Sequence, residues 1–407
     1  MKTQYICSEC GTIHPITLTI WKCPSCGGVL DLLKETPSVN PGVWKGYPFS
    51  IWRYAESMAF PAETRPWEAV SMGEGQTPLV QLFPGSSEVY VKVDYMMPTL
   101  SFKDRGAAAL ITKANELGAE KVIADSSGNA GTAIAAFAAR ANIECDVYVS
   151  AKTSPKKIDQ IKGHGAGIQK IPGTREEVAA AAQRAVEQEQ VFYASHVYNP
   201  YFFEGTKSYA YEIYEQLGRA PETVIVPVGN GTLLLGVYYG FQELLVNNLI
   251  SHMPKIVAVQ AANCAPLAQA YEMGAEIAEA APAEPTLAEG IAIAAPARSA
   301  QILKAVRQTN GTFIRIAEEE ILSAREALAG RGFYVEITSA INYAGWLQYH
   351  RKEMKPWLFL SAVRGSNPRS RMYAEYFCRQ KTSWKINKRV LPNGESGVIY
   401  FRKASRT

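Results

Sequence analysis

Short apolar segments alternate with amphipathic segments along most of the chain, from about residue 89 onward. Apolar runs bounded by turns predict strands, whereas apolar residues three and four positions apart predict helices. Predicted strands occupy 89–93, 121–126, 145–150, 167–171, 191–195, 223–228, 255–261, 312–316 and 357–362. Predicted helices occupy 102–117, 128–141, 155–163, 174–189, 204–217, 231–246, 299–308, 318–329 and 339–353. Repeated strand–helix units predict an α/β fold, in which helices cover both faces of a mostly parallel sheet.

The amino-terminal segment contains four of the seven cysteines. Cys7 and Cys10 form one Cys-x-x-Cys pair, and Cys23 and Cys26 form a second, which is the spacing of a tetrahedral zinc site. Alternating residues between the pairs predict short strands, so residues 1–35 are interpreted as a zinc ribbon. So short a segment buries too little apolar surface to fold alone, and bound metal would stabilise it. Nucleic-acid binding by the ribbon, redox-active thiols and a ribbon without metal are the alternatives.

Length, charge and hydropathy exclude several classes of protein. A chain of 407 residues is long enough for two or three domains, and 47% apolar residues exclude overall disorder. The net charge is +4, but residues 364–407 carry +9 and residues 1–363 carry −5, so the body is not expected to bind nucleic acid. No apolar run approaches the roughly 18 residues of a membrane helix, and a signal peptide is not evident. We expect a soluble, cytosolic protein.

Three loops that follow predicted strands carry residues suited to chemistry, because ligands of parallel sheets bind beyond the carboxyl ends of strands. SFKDRG (101–106) places Lys103 at a helix start, where the helix dipole disfavours a cation. SSGNAG (126–131) offers small residues and helix amides to a carboxylate, and Asn129 can donate a hydrogen bond. GNGTL (229–233) frees backbone amides to hold a phosphate. Each loop alone could be an ordinary turn, and Lys103 alone could be a solvated side chain.

Together these loops supply a nucleophilic amine, a carboxylate site and a phosphate site. Pyridoxal 5′-phosphate and an amino-acid substrate require this combination. The aldehyde of the cofactor reacts with the amine, its phosphate binds the glycine loop, and the substrate carboxylate binds the serine loop. The sequence therefore predicts an enzyme that uses pyridoxal phosphate.

The order of the motifs resembles threonine synthase, a fold-type II pyridoxal-phosphate enzyme of the tryptophan synthase β superfamily. The motifs are GEGQTPLV (73–80), SFKDRG (101–106), SSGNAG (126–131), NPYFFEGTKSYAYEI (199–213) and VGNGTLLLG (228–236). The likeness runs from about residue 70 to 345, and relatives of this type also carry a four-cysteine ribbon. It implies two α/β subdomains of parallel or mixed sheet with the cofactor between them. It also implies a homodimer that converts O-phosphohomoserine and water to threonine and phosphate.

The resemblance assigns roles to individual residues. Lys103 would form the Schiff base with the cofactor and then transfer the α-proton of the substrate. Asn129 would hydrogen-bond the phenolic oxygen of the cofactor, Ser361 would meet its pyridine nitrogen, and residues 289–291 would line its ring. The cofactor phosphate would bind Gly229, Asn230, Gly231, Thr232 and Leu233. The substrate carboxylate would bind Ser126, Ser127 and the amide of Ala130.

A phosphorylated substrate requires a second anion site beyond the cofactor. The candidates lie near loops or helix starts and are Lys152, Ser154, Lys156, Arg175 and Lys207. Each of these could equally be a surface side chain without a ligand.

The cysteine spacing, the composition and the resemblance together divide the chain into four parts. Residues 1–35 are the ribbon, and the Pro- and aromatic-rich residues 36–70 are expected to wrap around the next domain. Residues 71–362 form the catalytic domain, with a smaller subdomain at about 118–200. Residues 363–407 form an atypical basic segment.

Two features depart from the pattern that the resemblance implies. Ser361 is not followed by the usual glycine-rich turn, and the basic segment stands where relatives end with a helix. A shifted reading frame near residue 362 would explain this difference, as would a genuine basic extension that binds anions. Met97 and Leu100 replace the Asn and Gly that usually precede SFKDRG, which bears on substrate choice.

Other functions stay open at this point. β-Replacement on phosphoserine, as in cysteate synthase, and dehydration of threonine or serine use the same fold and cofactor. The non-enzyme alternative is a cofactor-binding protein inactivated by its altered carboxyl-terminal segment. Nucleic-acid binding through the basic segment is the last of the alternative functions in order of preference. The expected partner is a small phosphorylated amino acid rather than a membrane.

Overall fold

The computed structural model describes residues 3–85, 89–281, 284–353 and 358–361. Its strands are β1 (Gln4–Cys7), β2 (Ile13–His14), β3 (Leu30–Leu33), β4 (Leu79–Gln81), β5 (Tyr90–Val93), β6 (Lys121–Ala124), β7 (Glu144–Ser150), β8 (Gly167–Ile171), β9 (Phe192–Tyr193), β10 (Thr223–Pro227), β11 (Lys255–Ala261), β12 (Thr312–Ile316) and β13 (Leu358–Ser361). The basic segment predicted at 363–407 lies outside the described residues.

The helices connect these strands in the alternation that the sequence predicts. They are α1 (Lys103–Glu116), α2 (Asn129–Arg140), α3 (Pro155–Lys162), α4 (Arg175–Glu189), α5 (Tyr201–Thr206), α6 (Ser208–Leu217), α7 (Thr232–Val246), α8 (Pro266–Glu272), α9 (Ser299–Gln308), α10 (Glu318–Ala329) and α11 (Ile337–Glu353). Short 3-10 helices occur at Trp44–Gly46, Ile51–Ser57 and Glu289–Ile291.

The amino-terminal strands form a small antiparallel sheet in the order β2-β1-β3. Cys7 ends β1, and turns at Gly11 and Gly27 adopt φ values of 71° and 77° that favour glycine. Between the cysteine pairs only Ile13–His14 is a strand, so the regular part is shorter than the alternation predicts.

Two further sheets form the body of the protein. A four-stranded sheet has the order β8-β7-β6-β9, and all its strand pairs are parallel. A six-stranded sheet has the order β12-β11-β10-β13-β5-β4, and only its edge strand β4 runs antiparallel, to β5. The predicted α/β class with parallel and mixed sheets is confirmed. Parallel strands need crossovers, so consecutive strands of one sheet are joined by helices.

The residues at 36–70 pack through aromatic side chains and a partly buried ion pair. Trp52 stacks on Trp67 with ring centroids 5.0 Å apart, and both side chains are almost completely buried. Arg53 pairs with Glu215 of α6 at 2.7 Å, and Tyr54 donates a hydrogen bond to the same carboxylate at 2.8 Å. These contacts fix a segment that has little regular structure beyond two short 3-10 helices.

Three differences from the predicted elements have local causes. The helix predicted at 204–217 begins earlier and is divided at Lys207 into α5 and α6. β4 and α8 are three and seven residues long, too short for a periodic pattern to identify them. β9 is two residues long rather than five because it pairs only with Val122 and Ile123 at the sheet edge.

Among the helices that the structure describes, none combines the length and the apolar character needed to cross a membrane. The most apolar helix, α7, instead lies in the core, where Leu234, Leu235, Val237 and Phe241 are almost completely buried.

Candidate active site

The predicted amine and the predicted phosphate loop are in direct contact. Lys103 is the first residue of α1, and Thr232 is the first residue of α7, after β10. Lys103 Nζ donates a hydrogen bond to Thr232 Oγ1 at 2.9 Å, although the residues are 129 positions apart in sequence. The rings of Phe102 and Phe202 lie 4.8 and 5.6 Å from the same nitrogen. The amine is therefore held between a hydroxyl and two aromatic rings.

Lys103 has no carboxylate within ion-pair distance among the residues described. The pKa of its amine is lowered to about 7, chiefly by burial and also by the positive charge of Arg175, while Glu336 opposes the shift. Near neutral pH a large share of this amine is unprotonated, which a nucleophilic lysine requires.

The loop at 229–233 is shaped by two glycines that cannot be replaced without displacing neighbours. A Cβ at Gly229 would lie 2.8 Å from Ile293, and one at Gly231 would lie 2.4 Å from Ile302. Gly231 also has a φ of 74°, which disfavours other residues. Leu233 is buried behind the loop in α7, whereas Asn230 is partly exposed. The loop is thus closely packed against the residues behind it, with Asn230 as its partly exposed member, and its backbone amides lie at a helix start, where phosphates bind.

The serine loop follows β6 and leads into α2. Ser126 is 8% exposed, and its Oγ accepts a hydrogen bond from the amide of Gly128 at 3.4 Å. Gly131 allows the helix to approach this loop, because a Cβ there would lie 1.8 Å from the backbone oxygen of Ser126. Ser127 is partly exposed, and Ala130 is buried in the first turn of α2.

Asn129 contacts a carboxyl group that no sequence pattern singles out. Its Nδ2 donates to Glu336 Oε2 at 3.5 Å, and Glu336 immediately precedes α11. Burial raises the pKa of Glu336 to about 7, an effect that the hydrogen bond from Asn129 and the charges of Lys157 and Lys103 oppose. Acidic residues before helices are common caps, so no sequence signal separates Glu336 from an ordinary helix start.

His196 is a second site residue that sequence reasoning missed. It is 5% exposed, and its Nδ1 has no hydrogen-bond partner among the described residues. Its ring packs edge-on against Phe202, with centroids 5.9 Å apart, and Phe202 in turn contacts Lys103. Burial and the charges of Lys103 and Arg175 hold the pKa of His196 well below its usual range, so the imidazole is neutral.

The other charged residues of SFKDRG are structural. Arg105 is fully buried and donates to both carboxylate oxygens of Asp94 at 2.8 Å. It also pairs with Glu212 of α6, which Lys92 contacts at 2.7 Å. Although burial opposes its charge, Asp94 and Glu212 raise the pKa of Arg105 further above its ordinary value. Burial raises the pKa of Asp104 to about 7.

Leu100, which stands where glycine is usual, has a φ of 62°. This left-handed conformation explains why glycine is the usual residue at that position. Met97 is buried, and its sulfur accepts a hydrogen bond from the amide of Gly75 at 3.1 Å.

The five candidates for a second anion site differ in their surroundings. Lys207 is buried and pairs with Glu243 at 2.9 Å and with Glu204 at 3.1 Å, so its charge is already compensated. Lys152 and Lys156 are exposed, and Ser154 precedes α3. Arg175, the first residue of α4, has no ion-pair partner among the described residues, although its charge acts on Lys103 and His196.

The last predicted positions are residues 289–291 and Ser361. Ile291 is buried, and its Cα would lie 3.0 Å from a Cβ at Gly229, so residues 289–291 adjoin the phosphate loop. Glu289 pairs with Lys157 of α3 at 3.0 Å. Ser361 ends β13, where its backbone pairs with Val93. Its side chain lies outside what the structure describes.

The four amino-terminal cysteines converge on one point. The sulfurs of Cys7, Cys10, Cys23 and Cys26 all lie within 4.8 Å of one another. Cys7 and Cys26 are 3.4 Å apart, and Cys10 and Cys23 are 3.7 Å apart. Four thiolates at this separation suit a tetrahedral metal ion such as zinc. His14 Nε2 lies 3.3 Å from Cys23 Sγ.

Comparison with known proteins agrees with this geometry. A family described as "Pyridoxal-phosphate dependent enzyme" matches residues 70–361. The chain is 34% identical over 350 residues to a threonine synthase of Methanosarcina acetivorans, covering 83% of this chain and 85% of that protein. It is 32% identical over 351 residues to a threonine synthase of Methanocaldococcus jannaschii, with the same coverage.

Solved structures share the fold at lower identity. A threonine deaminase isoform of Solanum lycopersicum aligns with a TM-score of 0.65 and 20% identity, covering 84% of this chain and 97% of that one. Maize serine racemase aligns with a TM-score of 0.64 and 20% identity, covering 75% and 93%. Both likenesses concern the fold alone. With a profile match over most of its length and two threonine synthases above 30% identity, this chain belongs to the fold-type II pyridoxal-phosphate dependent enzymes.

Proposed function

We propose that the protein is a threonine synthase-like lyase that converts O-phosphohomoserine and water to threonine and phosphate. The main observation behind the proposal is the hydrogen bond from Lys103 Nζ to Thr232 Oγ1. It places a nucleophilic amine beside the loop that is proposed to bind phosphate. Identity of 34% to a threonine synthase over 83% of the chain supports the reaction class.

The residues present fit the cofactor. Gly229 and Gly231 let the loop pack directly against Ile293 and Ile302, where side chains would collide, and this close packing shapes a backbone suited to hold a phosphate. When bound, pyridoxal phosphate withdraws electrons from the α-carbon of an amino acid and so makes its proton acidic. Residues 229–233 would hold the cofactor phosphate, and Asn129 would donate a hydrogen bond to the phenolic oxygen.

The chain's own groups would bind the substrate and move its proton. Ser126, Ser127 and the amide of Ala130 would orient the substrate carboxylate at the start of α2. Lys103 would take the α-proton, since its lowered pKa of about 7 leaves much of the amine free to accept it. The same proposal implies a large and a small subdomain, with the cofactor between them.

We further propose that Arg175 and His196 bind the substrate phosphate. Arg175 follows β8 and His196 follows β9, so both lie at the carboxyl edge of the small sheet, as does the serine loop after β6. Arg175 is exposed and forms no ion pair within 4.0 Å among the residues described, although its charge acts on Asp125, and His196 Nδ1 has no hydrogen-bond partner there. A phosphate ester would satisfy both groups.

The reaction is tested by comparing substrates on the purified holoenzyme. Phosphate release is measured with O-phosphohomoserine and with phosphoserine, the latter with and without sulfite, and keto-acid formation is measured with threonine. We expect threonine and phosphate in equal amounts from O-phosphohomoserine. Sulfite-dependent phosphate release from phosphoserine would instead identify a β-replacement enzyme, keto acid from threonine would identify a dehydratase, and no turnover would identify an inactive cofactor-binding protein.

The phosphate site is tested with Arg175→Ala. We expect KM for O-phosphohomoserine to rise about 10- to 100-fold, because a charge-assisted hydrogen bond contributes roughly 1.5–3 kcal/mol. Arg184→Ala, on the exposed side of the same helix, is the matched control. An unchanged KM in Arg175→Ala would exclude this residue from the phosphate site.

We propose that the four cysteines hold a structural zinc ion. Their sulfurs fit a closed site with four thiolate ligands, which leaves no open position for a substrate. Metal analysis of the purified protein should give about one zinc per chain, and Cys10→Ser should lower that ratio. Full zinc content in Cys10→Ser would contradict the assignment.

A further inference from the structure

One buried arginine joins the ribbon to the body. Arg298 is 1% exposed and immediately precedes α9. On the ribbon side, its guanidinium donates to the backbone oxygen of Leu30 at 2.8 Å and pairs with Asp31 at 2.9 Å. On the body side, it donates to the backbone oxygens of Val197 at 2.6 Å and Tyr198 at 2.8 Å. A single side chain therefore holds β3 against the loop that carries His196.

The ribbon side of this contact extends to the cysteine cluster. Ser8 lies between Cys7 and Cys10, and its hydroxyl donates to Asp31 Oδ2 at 2.8 Å. Gln301, in the first turn of α9, donates to the same oxygen at 2.5 Å and to Ser8 Oγ at 3.1 Å. The turn that carries two metal-binding cysteines is thus hydrogen-bonded to α9.

The other face of α9 supports the phosphate loop. Ile302 follows Gln301, and its amide donates to the backbone oxygen of Arg298 at 3.0 Å. Its side chain occupies the space beside Gly231, where a Cβ would lie 2.4 Å from Ile302 Cδ1. Since packed interiors have few voids, a small displacement of α9 changes the shape of this loop.

We infer that Arg298 is a positioning residue that ties the four-cysteine ribbon to α9 and thereby holds the loop at 229–233 in its phosphate-binding shape. The ribbon is then part of the cofactor-binding apparatus rather than a separate module. This inference rests on the proposed location of the cofactor phosphate.

The test removes the carboxylate on the ribbon side of the contact and leaves the hydrogen bonds of Arg298 to the body intact. Asp31→Ala removes the carboxylate that Arg298, Gln301 and Ser8 share. The dissociation constant of pyridoxal phosphate is measured on full-length, zinc-loaded apoprotein, together with the 31P resonance of the bound phosphate. We expect the dissociation constant to rise about tenfold at a temperature where the variant is fully folded, and the resonance to shift.

Two further variants separate positioning from general stability. Lys22→Met removes a ribbon–body ion pair with Glu187 at 3.1 Å, in which both side chains are exposed and neither reaches α9. We expect this control to keep the wild-type dissociation constant. Arg298→Lys keeps the charge but loses the fork of donors, so it should weaken cofactor binding as Asp31→Ala does.

Removing the metal tests the connection between the ribbon and α9 independently. Chelating zinc from the wild-type protein should raise the dissociation constant by about the same factor as Asp31→Ala. Chelation of Asp31→Ala should add little, because both changes act through one connection. Additive effects would show that the metal and Arg298 act separately and would overturn the inference.

Two further results would also overturn the inference. A lower melting temperature of Asp31→Ala, with unchanged cofactor affinity and 31P resonance, would assign Arg298 a purely structural role and overturn the inference. Gly231→Ala should weaken cofactor binding strongly, because a φ of 74° disfavours alanine and its Cβ would displace Ile302. Normal binding by Gly231→Ala would overturn the proposed phosphate loop itself, and this role of Arg298 with it.

Discussion

The first turn of α1 contains two cations that face opposite environments. Lys103 Nζ contacts a hydroxyl and two aromatic rings, and it has no carboxylate at ion-pair distance in the described structure. Two residues later, Arg105 is enclosed by the carboxylates of Asp94 and Glu212. Burial lowers the pKa of Lys103 to about 7, whereas the two carboxylates keep Arg105 charged.

The difference shows what distinguishes a cation suited to catalysis from one that stabilises the fold. Both residues lie at the same helix start, Lys103 partly buried and Arg105 fully buried, so the helix dipole does not separate them. Two properties separate them: a guanidinium is far more basic than an amine, and among the described residues only Arg105 has carboxylate partners, so Lys103 can lose its proton near neutral pH whereas Arg105 stays charged and holds elements together. Lys207 stands between the two, because Glu204 and Glu243 pair with it while burial still lowers the pKa of its amine.

The largest expected effect is the loss of the uncompensated amine. Lys103→Met should lower turnover of O-phosphohomoserine by at least about 10³-fold, since the variant lacks the amine that takes the α-proton. Borohydride treatment followed by peptide mapping should label wild-type Lys103 with cofactor and leave the variant unlabelled. Lys162→Met, at an exposed position of α3, is the control. Turnover of Lys103→Met within tenfold of wild type would refute the role of this lysine.

Removing the compensated cation should destabilise the protein instead. Arg105→Met leaves Asp94 and Glu212 buried without their shared partner, which costs about 3–5 kcal/mol of unfolding free energy. Urea unfolding measures this loss. Arg140→Met, at an exposed helix end, should change stability by less than about 0.5 kcal/mol. A loss below about 1 kcal/mol in Arg105→Met would show that the network is not structural.

The pH dependence of cofactor capture by apoprotein should follow the lowered pKa of Lys103. Only the neutral amine reacts, so the rate constant should rise about tenfold per pH unit below pH 7 and level off above it. From pH 5 to pH 7 the rise is therefore of the order of 100-fold. Stopped-flow absorbance measures the rate. A rise that continues to pH 10 would indicate an ordinary lysine and contradict the burial effect.

The smallest expected effect concerns the hydroxyl that holds the amine. Thr232→Val removes the acceptor for Lys103 Nζ and should weaken cofactor binding about tenfold, whereas Thr232→Ser should keep it near wild type. Absorbance titration of apoprotein measures both variants. Equal loss in the serine and valine variants would point to packing of the methyl group rather than to the hydrogen bond.

Much of the fold follows from local patterns. Strands β8, β11 and β12 and helices α9 and α10 have the bounds that the sequence predicts, because their apolar residues repeat with a clear period between turn signals. The cysteine spacing likewise predicts a cluster that the structure contains. The division between α5 and α6 was missed, because Lys207 carries no breaker signal.

The candidate site likewise contains some residues that the sequence predicts and others that it does not. The three loops are recognisable because glycine, serine and lysine after strands have local reasons to be there. Glu336, His196 and Arg298 have no such signal, since each is defined by partners about 100 or more residues away or by enclosure within the fold.

The sequence alone determined the order of elements, the four-cysteine cluster and the loops that carry the proposed chemistry, because backbone geometry and side-chain size act locally. Only the tertiary structure decided which cation is free and which is paired. Ionisation depends on removal from water and on the distance to opposite charges. Those charges are contributed by elements far apart in the chain, as Arg105 and Glu212 demonstrate.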